Sequence, residues 1–89
     1  MNAIVTVVGG DKVGIIAKVS AFLADRNINI EDISQTILNG NFVMMMSVNL
    51  SSCSIDLEQI KLELVSLGET LNMSISMMHE KVFSAMHRI

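Results

Sequence analysis

Aromatic side chains are almost missing from this chain, which has three Phe, no Tyr and no Trp among 89 residues. It therefore lacks the stacking platforms on which most single-stranded nucleic-acid binders rely. Basic residues are also few, six Lys and Arg against nine Asp and Glu, for a formal charge of -3 and a pI near 5.1. Affinity for a phosphate backbone rests on Lys and Arg, so nucleic acid is not expected as a direct partner. Proline is absent, and no charge run or Ser/Gly-rich stretch divides the chain, so a single domain over 1–89 is expected. The lone Cys53 excludes an intrachain disulfide. Met1 leads straight into a strand-like run with no basic region before it, and no apolar run approaches the roughly 18 residues of a membrane span. A cytoplasmic protein with no membrane partner is the expectation.

What the chain has in quantity is aliphatic and Met character: 51% of residues are hydrophobic and only 17% charged, the composition of a folded domain. Asn2 to Val8 is apolar on both parities, which predicts a central strand buried on both faces and ended by Gly9 and Gly10. From Val13 to Arg26, Ile16, Val19 and Leu23 recur at helical spacing, beside a stripe of Ile15, Val19 and Phe22. So broad an apolar face implies two neighbours, the sheet and either another helix or another subunit. Ile28 and Ile30 have the opposite parity to Ile33 and Ile37, so the second strand must shift phase near Glu31 and Asp32, as a β-bulge does.

Asn39-Gly40-Asn41 signals a tight turn into a third strand in which Phe42, Met44, Met46, Val48 and Leu50 alternate cleanly. The serines of 51–54 offer N-cap hydroxyls for a second helix marked by Leu57, Ile60, Leu64, Leu67 and Leu71. Met73, Ile75 and Met77 form a fourth strand, and Val82, Phe83, Met86 and Ile89 suggest a short helical tail. The order βαββαβ with right-handed crossovers gives an α+β, ferredoxin-like sandwich: a four-stranded antiparallel sheet, two helices on one face and a short C-terminal helical tail. Val43, Met45 and Met78 then fall on the face without helices. Either the C-terminal segment or a second copy of the chain should cover them, which points to a homodimer.

Chemistry is sparse. Gly9, Gly10 and Gly14 surround the start of the first helix, where backbone N–H groups can receive a carboxylate or phosphate. The plainer reading is a glycine turn with Asp11 as helix cap. His79, His87 and Cys53 are not tied into any nucleophile and base motif, so no catalytic residue is expected. The strand FVMMMSV lacks the stacking aromatics of an RNA-recognition sheet. Met44, Met46, Met73 and Met77 fall on core parities, which argues for packing rather than Cu(I) binding, while Met45 and Met78 suit an adaptable interface. Glu31 and Asp32, as adjacent strand residues, should face opposite ways. No metal or cofactor is expected.

The run GGDKVGIIAKVSAFLADRNINIEDI resembles the start of an ACT domain, a small ligand-sensing module, and the resemblance extends over nearly the whole chain. The closing AMHRI resembles small stand-alone ACT proteins related to the ACT regions of glycine-cleavage transcriptional repressors. By this resemblance, Asp11, Lys12, Val13, Gly14 and Ile15 of the loop and Asn29 and Ile30 at the second strand's start would form an amino-acid site at a subunit interface. It lacks the arginine that closes the phosphate loop of acylphosphatases, which share the fold. The implied function is a stand-alone regulatory module, not an enzyme. It would bind a small metabolite, foremost an amino acid, and signal to an unidentified protein partner, since the sequence shows no output domain. The alternative is a ligand-free dimerisation or scaffold subunit.

Overall fold

The computed structural model describes residues 1–10 and 13–86. Along the chain run β1 (Asn2–Gly9), α1 (Ile15–Asp25), β2 (Asn29–Leu38), β3 (Asn41–Asn49), α2 (Leu57–Leu71), β4 (Ser74–His79) and α3 (Glu80–Met86). The strands form one antiparallel sheet in the order β2-β3-β1-β4, with α1 and α2 sharing its covered face, as the βαββαβ pattern predicts. Among the described residues no helix is long and apolar enough to cross a membrane.

β1 is central, but its burial is one-sided. Ala3, Val5 and Val7 are fully buried beneath the helices, while Ile4 and Thr6 are half-buried and Val8 is exposed. The two-faced burial expected of β1 is thus corrected: two layers can close only one side of a sheet. β3 alternates as its sequence demands, with Phe42, Met44, Met46, Val48 and Leu50 in the core. Its hairpin with β2 turns at Asn39 and Gly40, both at positive φ (53° and 79°). That is the geometry whose twist matches the flanking strands and which Asn-Gly adopts at low cost. The bulge falls between Ile30 and Asp32, where the parity conflict places it. Met44, Met46, Met73 and Met77 are all buried, as core packing requires.

Both helix starts differ from the sequence reading. α1 opens on Gly14 in the left-handed region, with no side-chain cap; Asp11, the expected cap, lies outside the described residues, as do Lys12, His87 and Ile89. α2 opens on Asp56, also without a side-chain cap bond, so the serine hydroxyls of 51–54 do not serve that role. The buried face of α1 is Ile15, Val19, Phe22 and Leu23, while Ile16 is exposed. The Ile15, Val19, Phe22 stripe is therefore spent inside the protomer and is not a free surface for another subunit.

α2 buries Ile60 and Leu64, with Leu57, Leu67 and Leu71 packed at the margin of the core. Its last turn passes so close to the start of β4 that a Cβ on Gly68 would lie 2.6 Å from the Met73 carbonyl oxygen. The same approach lets the Met73 N–H donate to the Gly68 carbonyl at 2.8 Å.

Two substitutions test this packing. Leu64→Ala should cost about 2 to 5 kcal/mol in chemical denaturation, and exposed Ser66→Ala should change little. Gly68→Ala should destabilise by roughly 1 to 3 kcal/mol through overpacking, although alanine is the better helix former. A raised midpoint for Gly68→Ala would show that the helix can move away from β4 freely.

Candidate functional site

The strand register decides where the expected site residues lie. At one end of the sheet Gly9 pairs with Phe42 and Phe42 with Ile37; at the other, Asn2 pairs with Asn49 and Asn49 with Asn29. The loop after β1 leaves from the first end, and β2 begins at the second. Between them runs α1, whose 11 residues span about 16 Å. Within one protomer the structure therefore keeps Gly14 and Asn29 apart.

Taken singly, these residues have unequal access to a ligand. Val13 is 83% exposed. Gly14 stands at φ 75°, with open space where a Cβ would be, and its carbonyl accepts the Lys18 N–H at 3.0 Å. Ile15 is only 4% exposed, its side chain belonging to the core beneath the loop. Asn29 is exposed, and half-buried Ile30 packs against the core. Asp11 and Lys12 lie outside the described residues.

The acidic pair is also placed differently than strand alternation implies. The bulge turns Asp32 to the open face opposite Ser47, and the Glu31 carboxylate reaches the same face. There it accepts hydrogen bonds from Asn2 Nδ2 at 2.8 Å and Asn49 Nδ2 at 3.1 Å. Parity reasoning fails here because a bulge inserts a residue without a partner. On this face β1, β2, β3 and α3 flank an open cavity of about 280 Å³ whose lining includes Ile4, Asp32, Ser34, Met45, Ser47 and Phe83. α3 packs against β1 and β4 yet buries none of its own residues. The C-terminal segment thus covers part of the open face, leaving Val43, Met45 and Met78 half-buried.

Other reactive groups have local partners. His79 Nδ1 accepts the Lys81 N–H at 3.0 Å where β4 becomes α3, and Cys53 Sγ lies 3.8 Å from the Ile55 carbonyl. Between α1 and α2, Arg26 Nε donates to Glu63 Oε1 at 2.7 Å and Nη1 donates to the Phe22 carbonyl at 2.9 Å. Its guanidinium lies 3.5 Å from the Phe22 ring centroid, and Gln59 Nε2 donates to Glu63 Oε2 at 3.0 Å. The hydrogen bonds from Gln59 and then Arg26 hold the Glu63 carboxyl below its ordinary pKa. Sequence reading treated Arg26 only as a helix end; its spacing of four from Phe22 was the available signal.

Residues 2–78 match the family model described as ACT domain. A UPF0237 protein of Listeria monocytogenes is 46% identical over 89 residues, covering all of both chains. One of Methanocaldococcus jannaschii is 44% identical over 88 residues, covering 99% of this chain and 98% of that one. Among solved structures, an ACT domain protein from Streptococcus pneumoniae superposes with a TM-score of 0.84 at 43% identity, over 93% of each chain. A structure described as a glycine cleavage system transcriptional repressor gives 0.77 at 26% identity, over 85% of this chain and 44% of that one.

The Arg26–Glu63 pair makes a prediction about acid stability. Because the folded-state pKa of Glu63 is lowered, its contribution is fully present above the unfolded-state value. It is lost as pH falls through that value and then through the lower, folded one. Glu63→Gln should therefore flatten the acid limb of a plot of denaturation midpoint against pH, by a small amount since the pair is partly exposed. A variant as acid-sensitive as the parent would assign that limb to other carboxylates.

Proposed function

This chain belongs to the ACT-domain family, and on that premise we propose that it is an amino-acid sensor acting as a homodimer, with each ligand site shared between two copies. By domain type it is a regulatory ligand-binding module rather than a catalytic one. The observation that carries the finer reading is the register of β2. Its N-terminal end holds Asn29, and its C-terminal end lies at the end of the sheet from which the β1–α1 loop departs, with β3 between the two strands.

β2 is an edge strand, exposed along its length except for half-buried Ile30, with Ile37 at 58% and Leu38 at 62%. Past Asp32 it carries no charge or proline to deter another strand. Antiparallel pairing of two β2 strands about a two-fold axis sets the Asn29 end of one copy against the Leu38 end of the other. The loop of the second copy then lies at the same end as Asn29 of the first. On this reading the loop of Asp11, Lys12, Val13 and Gly14 offers backbone N–H groups to the ligand carboxylate. Asn29 of the other copy supplies both a donor and an acceptor. Ile30 and buried Ile15 hold these groups in place. Occupancy would stabilise the paired form, and a protein partner that distinguishes paired from unpaired copies would read it.

A thermal-shift screen against the amino acids should find a stabilising ligand, since binding to the folded state alone raises apparent stability. Gly14→Val should abolish binding and Asn29→Ala should weaken it by roughly 1 to 3 kcal/mol in calorimetry, with circular dichroism confirming both folds. Mixing the two variants gives the sharper result. A dimer holding one chain of each has one doubly altered site and one intact site, so an equal mixture that pairs at random should regain parental affinity at about a quarter of its sites. Failure to complement would remove the shared site, and a screen with no binder would favour the scaffold reading.

A further inference from the structure

We propose that the cavity on the open face of the sheet binds a small primary amine, a ligand of a different class from the amino acid assigned above. The cavity holds about 280 Å³, just below the usual range for ligand pockets, which suits a small ligand. Ile4, Met45 and Phe83 give it an apolar wall, and Ser34, Ser47 and Asp32 give it a polar one. The bulge delivers Asp32 to this wall, and its Oδ1 accepts the Ile33 N–H at 2.9 Å, which orients the carboxylate.

Among the described residues lining the cavity, Asp32 is the one charged group. An ammonium group is matched there, and a carboxylate is repelled with no cation in the lining to receive it. An amino acid brings both groups; a short aliphatic amine brings only the one that fits. The serine hydroxyls can accept further N–H bonds, and the aliphatic tail packs against Ile4, Met45 and Phe83.

Isopentylamine is a suitable probe, titrated into the protein while the Met methyl and Phe ring resonances are followed by NMR. Saturable shifts in the millimolar range are expected for the amine, and at least about tenfold weaker binding for isopentanol, which lacks the charge, and for leucine, which adds the carboxylate. Asp32→Asn should weaken the amine about tenfold or more, with circular dichroism unchanged, and Phe83→Ala should weaken it without altering the preference for charge. Gly14→Val, which removes the amino-acid site, should leave amine binding intact, so the two readings fail separately. Absence of saturable shifts, including the case in which a second copy closes this face, would overturn the proposal. Equal affinity for leucine, or unchanged affinity in Asp32→Asn, would do the same.

Discussion

The pairing of β1 on both of its edges is the constraint from which the rest of the molecule follows. With β3 on one side and β4 on the other, the core-facing side chains of β1, Ala3, Val5 and Val7, are fully buried. The small Ala3 and the two valines form the floor on which both helices rest. A strand so enclosed has its hydrogen bonds satisfied internally, which leaves solvent access to the two edge strands and the far face of the sheet. Gly68 serves the same packed layer, since it lets α2 come close to the start of β4, where the Met73 N–H donates to the Gly68 carbonyl.

Two layers of secondary structure cannot cover two faces and two edges, and the uncovered parts are where the proposed binding sites lie. The helices close one face, and α3 returns over part of the other without burying a residue of its own. β2 is reached least: apart from the half-buried Ile30, its residues are exposed. Such an edge costs a monomer an exposed row of backbone donors and acceptors. In the proposed dimer the same edge would bring a loop of one copy towards a strand of the other. The bulge adds a second consequence, because it brings Glu31 and Asp32 to one face instead of distributing them over two.

Much of this was legible in the residues alone. The alternation of Phe42 to Leu50, the Leu and Ile stripe of α2, the Asn-Gly turn and the phase conflict between Ile30 and Ile33 each report a local periodicity. A strand's period of two and a helix's period of 3.6 are properties of the backbone, so element order and fold class follow from them, while family membership rests separately on the resemblance carried by GGDKVGIIA and on the family match over residues 2–78. Sequence could not tell which stripe of α1 is buried, because Ile16 and Phe22 are equally apolar. Only the position of the sheet beneath the helix separates them. Nor could it locate the two helix starts, where Gly14 and Asp56 stand without the side-chain bonds that local motifs anticipate.

The resemblance named the residues of the proposed site, and tertiary structure decides how far apart they lie in one copy. Gly14 and Asn29 are 15 positions apart in a chain that folds back on itself. Whether they meet depends on the register of β2 and β3 against β1, which is set by long-range pairing and by one unpaired residue in a bulge. The cavity beneath Phe83 has the same origin, since it exists only because α3 turns back over the open face. Sequence determined which elements form and in what order, because those depend on neighbours along the chain. Structure determined which residues share an end, a face or a cavity, because those depend on neighbours across it.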